Sequence, residues 1–144
     1  MKKLLLICMA ALTMASCSDK EPNLISTIDV LIVYDGGSLV YEQDNVKWRL
    51  VKNSDDSYTL YMDQTRFMEE MPYLDMEVQG LENQYAAEFA DMYFKFDADE
   101  MVPVFNGQNM TQYALTDFHC DTDEQALNVR FKCMGYDVRY RGSL

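Results

Sequence analysis

The chain has few of the residues on which many enzymes and metalloproteins depend. It contains one histidine, one tryptophan and three prolines among 144 residues. A single histidine, His119, excludes a two-histidine mechanism and a histidine-rich metal centre. No serine lies in a Gly-x-Ser-x-Gly motif, and no cysteine has the sequence context of a nucleophile. The sequence therefore predicts a protein that is not an enzyme and has no cofactor, with His119 as an outward-facing strand residue.

Metal binding is left open as an alternative at two acidic segments and one methionine pair. Residues 97–100 and 121–124 could gather carboxylate oxygens around calcium, but neither has the glycine and spacing of an EF-hand loop. Met68 and Met71 could offer thioethers to Cu(I), but no cysteine or histidine stands beside them. We expect solvated turns and core-filling methionines instead, and we predict no metal site.

Positive charge is also scarce in this chain. Lysine and arginine total 12 against 24 aspartate and glutamate residues, which gives a formal net charge of −12. Such a surface repels phosphate groups, so no nucleic acid partner is expected. Aromatic residues make up 12% of the chain and are spread along it, which favours a folded domain over a disordered acidic segment.

One long apolar run is present, and it lies at the start of the chain. Two lysines precede about 12 apolar residues, a length typical of a signal peptide and too short to cross a bilayer as a helix. Ala15 and Ser16 stand directly before Cys17, and this pattern resembles the lipobox of bacterial lipoproteins. The resemblance implies a signal peptide over residues 1–16 and lipidation of Cys17. Ordinary signal cleavage beside an incidental cysteine is the alternative.

The segment after Cys17 is polar and acidic. It contains a proline and no apolar run, which predicts a flexible tether over residues 17–25. Its acidic character resembles the surface-export signal of Bacteroidetes lipoproteins. We therefore predict a protein anchored to the outer membrane through acyl chains on Cys17 and exposed at the cell surface. Residues 26–144 are long enough for one domain with one core.

Two cysteines, Cys120 and Cys133, lie in the predicted domain, in a compartment that permits disulfides. A turn within 121–125 would place Cys120 beside the turn and Cys133 about six residues, or about 20 Å, further along the partner strand. A disulfide requires Cα atoms about 4.4–6.8 Å apart. We expect two buried free thiols, with a disulfide as the alternative.

Beyond the tether, apolar and polar residues alternate with a period of two, which predicts strands. A loop over residues 53–57 would place Leu50 opposite Leu60 and Trp48 opposite Met62, so that both strands present one apolar face.

Further hairpins are predicted at both ends of the domain. Residues 35–37 predict a tight turn in an opening hairpin. A two-residue loop at 134–135 would set Cys133 opposite Tyr136 and Phe131 opposite Val138, with a bulge as the alternative because Met-Gly is not a favoured turn pair.

The predicted fold class is all-β. About eight strands follow one another with short links and without a helix long enough for a crossover, which predicts an antiparallel meander. One of these strands is predicted from Ala90 to Phe96, after a stretch of mixed signals over 81–90. The apolar face must be covered, either by closure into a barrel or by folding into a β-sandwich.

Three segments are similar to the small calycin-like, or lipocalin-like, β-barrel lipoproteins of Bacteroidetes. They are the strand 58–62, the connection 71–76 and the closing run 126–144. The resemblance implies a closed barrel of the calycin type. The Gly-x-Trp signature of true lipocalins is missing before Trp48, so no lipocalin ligand or receptor can be carried over.

An eight-stranded barrel is either filled by side chains or holds one small ligand. Flexible methionines suit a pocket that adapts to its ligand. The residues predicted to line the interior and to bind the ligand are Trp48, Leu50, Leu60, Met62, Met76, Met92, Phe94 and Phe131. The sequence thus predicts a membrane-anchored binder of a small hydrophobic molecule. The alternative is a solid barrel whose outward tyrosines, such as Tyr61 and Tyr93, contact another surface protein or a glycan.

Overall fold

The computed structural model describes residues 28–144, which form an all-β fold. The predicted signal peptide, Cys17 and the predicted tether lie outside the described residues. Within residues 28–144, no helix is long and apolar enough to cross a membrane. The elements are β1 (Val30–Asp35), β2 (Ser38–Asp44), β3 (Arg49–Lys52), β4 (Tyr58–Thr65), β5 (Leu74–Leu81), β6 (Lys95–Met101), β7 (Val104–Phe105), β8 (Gln108–Asn109), a 3-10 helix (Thr111–Tyr113), β9 (Leu115–Thr122), β10 (Ala126–Cys133) and β11 (Tyr136–Ser143).

The strands form two antiparallel sheets rather than the predicted single closed ladder. The six-stranded sheet has the order β2-β1-β11-β10-β9-β6, and the five-stranded sheet has the order β3-β4-β5-β7-β8. The first and last strands pair with each other, as a barrel requires. Over residues 28–144, however, no backbone ladder joins β2 to β3 or joins β6 to the five-stranded sheet.

The hairpin registers follow the alternation of the sequence. Leu50 lies opposite Leu60, as predicted, so the apolar faces of β3 and β4 coincide. Phe131 likewise lies opposite Val138 in an unbroken β10–β11 ladder. The link between these strands is the tight two-residue turn 134–135, in which both residues have positive φ. The alternative of a bulge at this turn is therefore wrong.

The predicted strand over residues 90–96 is wrong. This segment begins in turns, where the Tyr93 N–H donates to the Phe89 carbonyl at 3.0 Å, and β6 starts only at Lys95. The side chain of Asn83 takes the place of a neighbouring strand, because its Nδ2 donates to the Tyr93 carbonyl at 2.8 Å and its Oδ1 accepts from the Lys95 N–H at 3.2 Å. Such local side-chain hydrogen bonds compete with sheet ladders.

One aromatic core lies between the two sheets. Trp48 and Tyr140 stack with ring centroids 4.3 Å apart, and Phe118 and Phe131 stack at 6.1 Å. Each of these side chains is no more than 2% exposed. Burying one such side chain stabilises a fold by about 1.5–3 kcal/mol. The centre of the molecule is therefore filled by side chains.

The connection between β4 and β5 extends this core beyond the strands. Phe67 and Met71 lie on that connection and are buried. The Phe67 ring meets Phe131 edge-on at 5.4 Å, and the Phe67 N–H donates to the Met71 Sδ at 3.3 Å. A segment that the sequence marks only as a link therefore packs as part of the core.

Side chains cross both breaks in the ladder. At the first break, the Gln43 amide on β2 donates to the Gln64 carbonyl on β4 at 3.1 Å. At the second, the Gln84 side chain, just after β5, accepts from the Asp97 N–H and donates to the Asp97 carbonyl, both at 3.1 Å. Gln84 thus pairs with β6 as a short strand would.

The two cysteines of the domain are free and buried, which confirms the prediction. Cys120 lies opposite Val129, whereas Cys133 lies opposite Tyr136 beside the next turn. Burial raises the pKa of the Cys133 thiol to about 12 and also raises the pKa of Cys120. Both groups therefore remain protonated and unreactive at neutral pH.

Candidate functional site

An open cleft of about 490 Å³ lies at one end of the core. The starts of β3, β4 and β10 meet the ends of β9 and β11 there, and the turn that precedes β6 forms one wall. We call this space the mouth cleft. Its apolar lining comes from Trp48, Leu50, Tyr58, Met92, Phe94 and Leu127, and its charged rim from Lys47, Arg49 and Asp91.

The structure divides the predicted ligand-binding residues into two groups. Those at the mouth cleft are Trp48, Leu50, Met92 and Phe94. Those enclosed in the filled core are Leu60, Met62, Met76 and Phe131. Met92 is 65% exposed, so its predicted inward position is wrong, because the segment around it is a turn and not a strand. The candidate site therefore lies at the mouth of the fold and not at its centre.

Trp48 is held in place from two sides. Its backbone N–H donates to the Tyr140 hydroxyl at 2.9 Å, and its indole Nε1–H donates to the Thr65 hydroxyl at 2.8 Å. Burial raises the pKa of Tyr140 to about 12, so its hydroxyl stays protonated at neutral pH. Because both N–H groups of Trp48 have acceptors, the indole forms a rigid part of the cleft lining.

A glycine makes room for this arrangement. The Tyr140 side chain passes over Gly142, where an added Cβ would overlap both the ring and the hydroxyl. Any larger residue at this position would push the Tyr140 hydroxyl away from the Trp48 N–H. The close approach explains why β11 carries a glycine near its end.

The opposite wall of the mouth cleft is also fixed by hydrogen bonds. Tyr58 and Phe94 pack with ring centroids 4.6 Å apart. The Phe94 N–H donates to the Thr122 hydroxyl, and the Thr122 N–H donates to the Phe94 carbonyl, both at 3.0 Å. These two bonds tie the turn before β6 to the end of β9, so the wall does not depend on a regular ladder.

The rim of the mouth cleft carries two cations that are already paired. Lys47 donates to the Ser143 hydroxyl at 2.7 Å and lies 3.8 Å from an Asp29 carboxylate oxygen. Arg49 donates to Asp63 at 3.0 Å. An apolar lining with a charged, solvated rim suits a molecule with a hydrophobic body and a polar end.

Exposed aromatic side chains lie beside the same wall. Tyr85 and Phe89 are 38% and 44% exposed, the Tyr93 ring packs on Tyr85 at 5.8 Å, and the three residues line one shallow depression. We call these three residues the aromatic patch. Clustered exposed apolar surface marks contact sites more often than isolated exposed residues do. Tyr61, also predicted to face outward, lies under the Arg49 guanidinium at 4.5 Å.

The acidic segment 121–124 is a hydrogen-bonded turn. The Oδ1 of Asp123 accepts from the backbone N–H groups of Gln125 and Ala126, both at 2.8 Å, and its Oδ2 accepts from Arg141 at 3.1 Å. The hydrogen bonds from the Gln125 amide and other donors lower the pKa of Asp123 to about 2. Among residues 28–144, no group of three His, Cys, Asp or Glu side chains is placed to hold a metal ion.

His119 faces outward from β9 and contacts a neighbouring strand. Its Nδ1 lies 2.6 Å from an Asp97 carboxylate oxygen on β6. The pair lies on the outer face of the six-stranded sheet, in a second depression separate from the mouth cleft. Sequence alternation indicated the outward direction of His119 but not its partner, because that partner belongs to a strand predicted with the wrong bounds.

No family model matches the chain, and no match is found among curated proteins or among solved structures. The resemblance to calycin-like lipoproteins stays a prediction.

Proposed function

We propose that this chain is a lipoprotein of the outer membrane that binds a small hydrophobic molecule in the mouth cleft. The observation that carries the proposal is the apolar cleft of about 490 Å³ over Trp48. Sites for small molecules are commonly about 300–1,000 Å³ in volume and mostly apolar, with a few polar groups that orient the ligand. The mouth cleft has this size, an aromatic and aliphatic lining, and charged groups only at its rim.

The proposal includes the arrangement of the two sheets as an opened calycin-like barrel. The pairing of β1 with β11 and the side-chain bridges made by Gln43 and Gln84 support a barrel over a β-sandwich of independent sheets. Amide hydrogen exchange tests this arrangement at Asp97, whose N–H faces the break. We expect slow exchange there that becomes fast in Gln84→Ala, whereas fast exchange in the unmodified chain would favour the sandwich.

The binding experiment uses the single tryptophan of the chain. Trp48 lines the mouth cleft, so its emission responds to binding there. We expect the uncharged dye N-phenyl-1-naphthylamine to quench this emission in a saturable way. Native mass spectrometry of protein purified from its own host should show the added mass of a lipid-like compound.

A matched pair of variants locates the binding. Leu50 lines the mouth cleft, whereas Val51, the next residue of β3, points away from it. We expect Leu50→Gln to weaken dye binding at least about tenfold, because a polar amide replaces apolar contact area. Val51→Gln should leave binding unchanged. Equal affinity in both variants would exclude the mouth cleft as the binding site.

The anchor is tested separately at Cys17. We expect metabolic labelling with a fatty acid to mark the unmodified chain and not Cys17→Ala, and the variant to leave the membrane fraction. Unchanged membrane association of Cys17→Ala would contradict the lipid anchor while leaving ligand binding untouched.

The aromatic patch supports a second candidate function, in which the protein contacts another surface protein or a glycan. Phe89 is 44% exposed beside Tyr85 and Tyr93, which gives a ready contact surface. A photo-cross-linking group at position 85 should capture one partner on whole cells, and Phe89→Ser should abolish that product. Capture with an unchanged Trp48 signal and no bound compound would favour this function over ligand binding.

A further inference from the structure

Three basic side chains stand side by side on the outer face of the six-stranded sheet. His119 on β9 lies opposite Arg130 on β10, and Arg130 lies opposite Arg139 on β11. We call these three residues the basic row. Like charges directly opposite each other on neighbouring strands are destabilising. Two arginines placed face to face therefore indicate a role other than stability.

The neighbours of the basic row satisfy it only in part. Asp97 lies 2.6 Å from the His119 ring, and Asp137 accepts from the Arg139 Nη2 at 3.0 Å. Among residues 28–144, Arg130 has no carboxylate within 4.0 Å and makes no side-chain hydrogen bond. Within the same residues, the Nε of Arg139 is buried and has no acceptor. A buried donor without a partner is rare in folded proteins and costs stability.

A depression of about 510 Å³ opens beside the basic row. Lys95, Arg130, Arg139 and Arg141 line it together with the carboxylates of Asp97 and Asp121. Lys95, Arg139 and Arg141 each have a carboxylate partner, in Asp97, Asp137 and Asp123. Arg130 is therefore the cation of the lining that has no such partner among residues 28–144. The volume admits a group about the size of a small sugar or organic acid.

A β-bulge positions the basic row. Between Thr116 and His119 the β9–β10 register shifts by one residue, and Asp117 in the bulge has a φ of 49°. Left-handed backbone at a non-glycine residue costs free energy, and bulges of this kind re-aim side chains next to functional sites. Without the extra residue, His119 would not lie opposite Arg130.

We propose that this depression is a site for an oxyanion, the phosphate or carboxylate group of a small organic molecule. Arg130 supplies a guanidinium without a carboxylate partner among residues 28–144, and the guanidinium of Arg139, on the neighbouring strand, supplies the second cation. Guanidinium groups form strong charge-assisted hydrogen bonds to both kinds of oxyanion. The site is independent of the mouth cleft, since its lining belongs to the outer face of the sheet.

Isothermal titration calorimetry of the full-length protein at low ionic strength tests the proposal, with inorganic phosphate, glucuronate and glucose as probes. We expect saturable binding of at least one of the two anions and none of glucose. Phosphate without glucuronate identifies a phosphate site, and the reverse result identifies a carboxylate site. If neither anion binds, the proposal is overturned.

Two variants assign the binding to the basic row. Arg130→Gln should weaken anion binding at least about tenfold, since it removes a charged hydrogen-bond donor. Arg139→Lys keeps a cation near Asp137 but lacks the planar, two-pronged guanidinium, and it should weaken binding as well. Lys52→Gln, an equal change of charge on the exposed edge of β3, is the control and should bind as the unmodified chain does.

Anion binding at the basic row can be distinguished from ligand binding in the mouth cleft. Anion binding should persist in Leu50→Gln and should leave the Trp48 emission unchanged. Full affinity in both Arg130→Gln and Arg139→Lys would overturn the basic row as the binding site, whatever the mouth cleft binds.

Discussion

On the inner face of β9, β10 and β11 neighbouring side chains attract each other, whereas on the outer face neighbouring side chains carry like charges. The inner face carries Phe118, Phe131 and Tyr140, and the outer face carries the adjacent residues His119, Arg130 and Arg139. The inner rings pack against one another and against Trp48. On the outer face, by contrast, two arginines stand directly opposite each other.

This difference separates residues that stabilise the fold from residues whose arrangement costs stability. Sequences that specify a fold agree with it at nearly every position, and the exceptions tend to lie at functional sites. By that argument, the inner face explains why the chain folds, and the outer face is where a function independent of folding is to be sought.

The largest expected change in the free energy of unfolding comes from a substitution on the inner face. Phe131→Ala removes a ring that contacts Trp48, Phe67 and Phe118, and it should lower the free energy of unfolding by about 3–5 kcal/mol. Urea denaturation measures this change. Arg130→Ala, the neighbour on the opposite face, is the control and should change stability by less than about 1 kcal/mol. An equal loss in both variants would break the comparison.

A smaller effect is expected where a hydroxyl is buried. Tyr140→Phe leaves the Trp48 N–H buried without an acceptor, so it should cost about 1–3 kcal/mol. The same denaturation experiment checks it, and the Trp48 emission should shift as well. Tyr136→Phe is the control, because its hydroxyl makes no hydrogen bond within residues 28–144. Equal stability of the two variants would show that the Tyr140 hydroxyl is not needed.

These stability effects rest on elements that the sequence predicts well. Period-two alternation and short turns define the β3–β4 and β10–β11 hairpins, since local spacing alone sets the register there. The strand at 90–96 could not be predicted correctly, because the side chain of Asn83 decides where β6 begins. Nor does any periodicity reveal that the connection carrying Phe67 joins the core.

The candidate sites were predictable to different degrees. Alternation identified Trp48 and Phe94 as inward residues, but it did not show that they lie at one end of a filled core. It also placed His119 outward, on the face where Arg130 and Arg139 lie beside it. Their alignment in one row depends on the bulge in β9, which no local pattern marks.

A substitution on the outer face is expected to stabilise the fold, unlike the two substitutions on the inner face. Arg130→Gln relieves repulsion from Arg139, so it should raise the free energy of unfolding by about 0.2–1 kcal/mol at low ionic strength. The gain should vanish in about 1 M salt, which screens exposed charges. Thermal unfolding at the two salt concentrations measures it. A loss of stability would mean that Arg130 supports the fold, and the contrast between the faces would weaken.

The smallest expected change in stability is the loss that follows protonation of Asp123 at low pH. Hydrogen bonds lower the pKa of Asp123 to about 2 in the folded chain, below the value of about 4 in an unfolded one. Its contribution is therefore complete above about pH 4 and is lost as the pH falls toward 2. Because Asp123 is 45% exposed, the loss should stay below about 1 kcal/mol. Asp123→Asn should flatten this part of the stability profile, and an unchanged slope would exclude Asp123 as a source.

The pairing of β1 with β11 has a consequence for how the chain reaches its folded state. The Ser143 N–H donates to the Asp29 carboxylate, a contact between residues 114 positions apart. Contacts between such distant parts of a chain form slowly, because a long loop must close first. The central strands of the six-stranded sheet therefore cannot assemble until the last strand has been delivered. If the chain is exported from its N-terminus as proposed, it stays unfolded, and so able to thread through a translocation pore, until nearly all of it has crossed.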